Sequence, residues 1–288
     1  MNQRTIQKSV TCEGVGLHSG KPIKMTLFPA AVNSDIVFRR VDVTDKDNVL
    51  PARWDHIVDT RLNSCLGNAA GVVVSTVEHF MGALSGLGIT NLIAEVNGPE
   101  LPLMDGSARD FITLLKEAGI EEQEAPVKAL KILHSVVFED GKGASTSLEP
   151  AEGGLTLNFE IDFPQSKIIG HETVSVPLNE ENFKNMVASA RTFGFAAEVA
   201  QLRSMGLAQG ASLDNAIAVE GDSVLNPGGL RFPNEFVAHK VLDAVGDLYQ
   251  AGMPIIGLFK GVKSGHFHNN QLLRAVFADP TSYEIVEL

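Results

Sequence analysis

Three residues at four-residue intervals, His239, Asp243 and Asp247, carry the chemistry most easily read from this chain. On a helix, side chains at i and i+4 lie about 5–6 Å apart at Cβ, close enough to grip one ion. Read that way, the segment from Phe236 to Asp247 puts an imidazole and two carboxylates on one stripe, while Val237, Val241, Val245 and Leu248 face elsewhere and can enter a core. A solvated polar face can carry the same His–Asp pair, so the spacing by itself leaves both readings standing. Val77-Glu78-His79-Phe80 offers another imidazole with a carboxylate beside it. Two histidines and one aspartate make three protein ligands, the number a catalytic zinc takes when a fourth position stays open. Neighbouring helical residues diverge by about 100°, so Glu78 and His79 cannot face one ion equally. A histidine ligand with a glutamate slightly aside, able to take a proton from water, fits a metallohydrolase. A glutamate in a first turn is also favoured by the helix dipole alone.

Ser264-Gly265-His266-Phe267-His268 adds two histidines. His266 can serve as general acid or cationic stabiliser, or simply as helix-start polarity. Lys240 is either solvated or a contact for a phosphate or sugar. Gly14-Val-Gly16-Leu-His18-Ser-Gly20 matches neither the Rossmann nor the Walker spacing, which excludes a nucleotide hydrolase of those types. No Gly-x-Ser-x-Gly elbow is present, and no His-Glu-x-x-His run, which counts against a zinc peptidase.

The elements that must hold these residues follow an ordered pattern. Strands are expected at Ile23–Pro29, Asp35–Arg40 and Leu92–Val96, with helices from a Ser75 cap to about Ser85 and from Ser107 or Ala108 to Ala118. Glu121–Pro126 reads as a charged linker. Beyond it, strands are expected at Ala129–Phe138, Ser145–Glu149, Leu155–Phe163 and Pro254–Phe259. Helices are expected from Asn179 to before Arg191, over about Asn234–Gln250, and from after Gly265 to about Ala278. Each half thus ends helix, strand, helix. The expected fold is α+β, with two similar domains, 1–126 and 127–288, each a sheet layered with a helix pair. Glu78 and His79 on one side, and His239 and Asp243 on the other, would meet at the domain interface, where ligand sites are favoured.

The 288 residues carry a formal charge of −12 and 44% hydrophobic residues. An acidic chain with no basic stripe argues against nucleic-acid binding. Cys12 and Cys65 lack the spacing of a zinc knuckle or redox motif and read as free thiols of a reducing compartment. No secretory signal and no 18-residue apolar span is evident, so a cytoplasmic protein without a membrane segment is expected.

Eight segments in one order resemble the UDP-3-O-acyl-N-acetylglucosamine deacetylases, the zinc amidases at the committed step of lipid A synthesis. They are Gly14-Val-Gly-Leu-His-Ser-Gly20, Ser75-Thr-Val-Glu-His79, Gly86-Leu-Gly-Ile-Thr-Asn91, Met104-Asp-Gly-Ser-Ala108, Ala190-Arg-Thr-Phe-Gly-Phe195, Val224-Leu-Asn226 with Gly229-Leu-Arg-Phe232, His239-Lys-Val-Leu-Asp-Ala-Val-Gly-Asp247 and Lys263-Ser-Gly-His266. The resemblance implies Zn²⁺ on His79, His239 and Asp243, with Fe²⁺ an alternative occupant. It makes Glu78 the general base, His266 the cationic acid or stabiliser, Asp247 its orienting partner and Thr192 an oxyanion donor. It also implies that Lys240 contacts the sugar-nucleotide and that Phe193–Val219 forms an apolar passage for an acyl chain, with Phe193, Val199, Ala216 and Ala218 lining it. The partner is then a UDP-linked acylated amino sugar, and the protein a monomer. A non-catalytic nucleotide-sugar binder on the same scaffold is the alternative.

Some positions depart from the family pattern. Phe267 and His268 follow Ser-Gly-His where small or aliphatic residues are common. Asn63 stands for a frequent cysteine, with Cys65 two residues on. Lys142 matches a nucleotide-contacting lysine only if its turn shifts by a residue. The long apolar tail of some members is not found before Leu288.

Overall fold

The computed structural model describes residues 1–288. Its helices are α1 (Glu78–Leu87), α2 (Arg109–Ala118), a single turn α3 (Glu180–Asn182) that widens into a π-turn over Phe183–Val187, α4 (Ala196–Ser204), α5 (Glu235–Tyr249) and α6 (His266–Ala278). None is long and apolar enough to cross a membrane.

Two sheets share one pairing pattern. In the first, the spatial order is Val10–Val15, Pro22–Pro29, Leu92–Val96, Ile36–Arg40, Val49–Pro51. The pairs run antiparallel, antiparallel, parallel, antiparallel. In the second, Val136–Glu139, Ser145–Glu149, Ile255–Val262, Leu155–Phe163 and Gly170–Pro177 repeat the same sequence of directions. Within each set of five, the strand latest in sequence is central, and a helix precedes and follows it: α1 and α2 around Leu92–Val96, α5 and α6 around Ile255–Val262. The expected α+β class and its internal repetition are therefore observed. Strict alternation of buried and half-buried residues from Leu155 to Asp162 and along Ile255–Val262 gives each strand one core face.

One apolar cluster of 57 buried residues runs through both halves, so the seam between them is core, not a wet hinge. Phe80 of α1 meets Phe38 of the first sheet and Phe111 of α2 edge-on, at 6.1 and 5.3 Å between ring centroids. Across the seam α1 packs on α5, and two glycines permit it. A Cβ on Gly82 would lie 2.7 Å from Leu242 Cδ1, and one on Gly246 would collide with the backbone carbonyl of Glu78. Glu78 and His79 are thereby fixed against the turn of α5 that carries Asp243 and Asp247.

Several expectations are corrected. Glu121–Pro126 is not an unpaired linker: Ile120–Pro126 is a strand antiparallel to Asn2–Ile6. Ala129–Phe138 is broken after Ile132, because the chain changes partners there. Lys128–Ile132 pairs with Ile255 and Ile256 and with Tyr283–Glu287, and Val136–Glu139 pairs with Ser145–Glu149. Ser75 does not cap α1; its hydroxyl meets Cys65 Sγ at 3.3 Å, and the N-cap residue is Val77. Asn179 does cap a helix, accepting from the Asn182 amide, but that helix is α-type for one turn only.

The seam makes a direct prediction. Gly246→Ala drives a Cβ into the Glu78 carbonyl, so it should lower unfolding stability by about 1–3 kcal/mol, the cost of overpacking. Urea unfolding of the variant measures this; a change within ~0.5 kcal/mol, the range of a neutral surface substitution, contradicts it.

Candidate metal centre

His79 enters from α1 and His239 and Asp243 from α5, and their donor atoms all lie within 4.8 Å of one another. Asp243 Oδ1 sits 3.4 Å from His79 Nε2 and 3.3 Å from His239 Nε2. It is buried and has no hydrogen-bond partner. A buried acceptor without a donor is costly, about 1–3 kcal/mol or more for a charged group. The cluster is therefore complementary to a cation. His239 Nδ1 donates to the Ala190 carbonyl at 3.1 Å, which leaves the Nε2 lone pair facing the cluster. Burial, opposed by Asp243, lowers its pKa to about 4, so the imidazole is neutral at pH 7. Burial tends to raise the Asp243 carboxyl, but His239 and Lys240 outweigh it and hold it well below the usual carboxylate range. Two nitrogens and one oxygen suit Zn²⁺ or Fe²⁺ with coordination left open.

Two more acid–base groups face the same space. Glu78 is buried, and burial raises its pKa above the ordinary carboxyl value. Its Oε2 accepts from the Ser64 amide at 3.0 Å, while Oε1 lies 3.9 Å from His266 Nε2. His266 starts α6 and donates from Nδ1 to Asp247 Oδ2 at 2.8 Å. Burial would lower its pKa, but the Asp247 carboxylate wins, with Glu78 and Asp243 adding, and raises it to about 9. His266 is thus an imidazolium at neutral pH with its Nε2–H free. Asp247 itself is saturated: Oδ1 accepts from Ser64 Oγ at 2.6 Å, and Oδ2 also accepts from Asn269 Nδ2 at 2.8 Å.

The surrounding backbone is held in costly conformations. Thr76, Met104, Asn234 and Lys263, which flank the entries to α1, α2, α5 and α6, have φ of 58°, 57°, 62° and 51°. For a β-branched residue such as Thr76 this costs about 1–3 kcal/mol. The segment before Cys65–Gly67 offsets it: Asn63 Oδ1 accepts from the Thr76 amide at 3.1 Å, and the Ser64 carbonyl from Val77. Asn63 thus braces the entry to α1, and Cys65 is a buried thiol whose pKa is raised by burial. At the entry to α5, Glu235 is fully buried and accepts from the Arg191 amide and guanidinium and from the Arg231 amide. That fixes the chain just before Thr192, whose amide donates to the Gly106 carbonyl at 2.8 Å.

A cavity of about 340 Å³ opens on the cluster, bordered by Glu78, His79, Thr192, Phe193, His239, Lys240, Asp243, His266 and residues of the segment after Thr192. Asp247 lies behind it. Lys240 borders the cavity, but its ammonium bonds Asp243 Oδ2 at 2.6 Å. Val199, Ala216 and Ala218 do not border it; they are half-buried in a small subdomain where α4 accompanies the strands Phe193–Phe195, Ile217–Glu220 and Ser223–Val224. Lys142 lies in an exposed turn capped by Asp140, and His268 Nε2 reaches Asp140 Oδ2 at 3.3 Å, tying that turn to α6. Phe267 packs edge-on against Phe138 at 5.7 Å. Sequence reasoning missed Ser64, Asn269, Arg191 and Glu235. Asn269 was findable, one helical turn after His266; nothing local marks Ser64.

A family profile described as UDP-3-O-acyl N-acetylglycosamine deacetylase matches residues 3–278. Curated proteins named UDP-3-O-acyl-N-acetylglucosamine deacetylase are similar over nearly the whole chain. The one from Phenylobacterium zucineum is 45% identical, covering 99% of this chain and 96% of its own. That from Vibrio parahaemolyticus is 47% identical over 99% and 92%, and that from Neisseria meningitidis 46% over 100% and 94%. With a matching profile over almost its full length and relatives of this identity, the chain belongs to the UDP-3-O-acyl-N-acetylglucosamine deacetylase family.

Proposed function

We propose that the protein removes the N-acetyl group of a UDP-3-O-acyl-N-acetylglucosamine by metal-assisted hydrolysis, with His79, His239 and Asp243 as ligands. The observation that carries this is the unpartnered, buried Asp243 Oδ1 between two imidazole nitrogens. Zn²⁺ fits this donor set, and Fe²⁺ is the alternative occupant. Such an ion, when bound, supplies Lewis acidity that polarises an amide carbonyl and makes water more acidic.

The chain's own groups divide the proton work. Glu78 Oε1 takes a proton from the attacking water, since Oε2 is engaged by the Ser64 amide. His266, protonated and held by Asp247, gives the Nε2 proton to the nitrogen as the C–N bond breaks. One water and one amide thus yield acetate and a free amine. Thr192 borders the cavity as a donor for the developing oxyanion. Lys240 and Phe193 border it where sugar and acyl chain would be met. In this reading the segment 193–219 belongs to the acyl-binding side, and 1–126 and 127–288 act as two domains sharing the site. A non-catalytic sugar-nucleotide binder has no use for a base, an imidazolium and an unpaired ligand set around one cavity.

Acetate release from the acylated UDP-sugar tests the assignment. Glu78→Gln should lower turnover by about 10²–10⁴-fold, the worth of a general base, while leaving bound metal unchanged. Turnover equal to the parent's would overturn it. A pH prediction follows from the His266–Asp247 pair. The active form needs His266 charged, so kcat/KM should fall as pH rises through about 9. Asp247→Asn removes the carboxylate that holds the proton, so the alkaline limb should move to lower pH. An unmoved limb in that variant contradicts the role of the pair.

A further inference from the structure

Ser64 belongs to no motif and ligates nothing, yet it touches both proton-handling arms of the site. The residue is 2% exposed. Its amide donates to Glu78 Oε2 at 3.0 Å, and its hydroxyl donates to Asp247 Oδ1 at 2.6 Å. Glu78 lies on α1 and Asp247 on α5, so the one residue spans the two helices at the level where a base and an acid must be held apart. Each bond has a geometric effect. The amide occupies one carboxylate oxygen of Glu78 and turns the other, Oε1, toward His266, 3.9 Å away. The hydroxyl, with Asn269 Nδ2 on the other oxygen, fixes the carboxylate plane of Asp247 on which the His266 ring orientation depends. Asn63, Ser64 and Cys65 each contact the 75–78 strip, so Ser64 has little freedom to release either partner.

We propose that Ser64 is a positioning residue for the hydrolysis, setting the orientation of Glu78 through its amide and of His266 through Asp247. It touches neither substrate nor metal. The inference rests on the reading of Glu78 as base and His266 as acid. Its specific content is that the hydroxyl acts only through Asp247.

The test compares Ser64→Thr with Ser64→Val in metal-loaded enzyme. Both add similar volume, and only Thr keeps the hydroxyl, so their ratio cancels any packing effect. A hydrogen bond to a charged group carries about a 10- to 100-fold effect, and kcat of Ser64→Thr should exceed that of Ser64→Val by this factor, with equal KM and equal metal content. On an Asp247→Asn background the gap should close to within about twofold, since partners in one network are non-additive. Equal kcat for the Thr and Val variants, a gap matched by lost metal, or a gap that persists undiminished on Asp247→Asn would each overturn the proposal. Failure of the functional reading is distinguishable: it would appear as full turnover by Glu78→Gln, whatever Ser64 does.

Discussion

The crossing of α1 and α5 is the constraint on which the rest of the structure depends. The two helices come from different halves of the chain, and their backbones approach closely enough that the absent side chains of Gly82 and Gly246 decide whether they can meet. The missing Cβ of Gly246, three residues after Asp243, leaves room for the carbonyl of Glu78, one residue before His79, and both neighbours belong to the candidate metal triad. The contact that closes the core therefore also sets the ligand geometry. The repeated sheet pattern explains how it arises: each half presents its helix on an equivalent central strand, and the two presentations face each other across one shared apolar core.

Burying so many charges beside that core has to be offset by pairing. Nearly every oxygen is accounted for: both oxygens of Asp247, both of Glu235, Glu78 Oε2 and Asp243 Oδ2 have donors. Asp243 Oδ1 has none, and it stands 3.4 and 3.3 Å from the Nε2 atoms of His79 and His239. A buried carboxylate oxygen without a donor beside two imidazole nitrogens is a costly arrangement that a cation would relieve. The saturated neighbours also keep His266 charged and Glu78 oriented, so the electrostatics of the fold and the proton inventory of the reaction have the same origin.

Much of this was legible in the sequence, and the limits have physical causes. α5 is legible because His239, Asp243 and Asp247 and its valines both recur at helical spacing. The pairing of His79 with that stripe followed from the helix–strand–helix order of the two halves. By contrast α4 has no buried residue at all, so no apolar periodicity marked it. The edge strand Tyr283–Glu287 shows no strict alternation. Ser64 acts on a carboxylate 183 residues away, and no local pattern encodes that distance. Ser75 had the chemistry of a helix cap, but the chain turns left-handed at Thr76, and the Thr76 and Val77 amides before α1 donate instead to Asn63 Oδ1 and the Ser64 carbonyl, from another segment. Lys240 borders the cavity, as its sequence context suggests, and its ammonium is also paired within the helix. Its partner was in plain sight three residues on, and the i, i+3 spacing to Asp243 is what the structure uses.

The most direct measurement of the central claim is a titration of Zn²⁺ into chelator-treated protein, followed by calorimetry and by acetate release from the acylated UDP-sugar. If α1 and α5 together build one metal site, the protein binds one ion per chain and activity returns in proportion to ion bound. His79→Ala, which removes the only ligand contributed by α1, then loses both. Full turnover by the metal-free protein, or undiminished metal affinity in His79→Ala, would contradict the account.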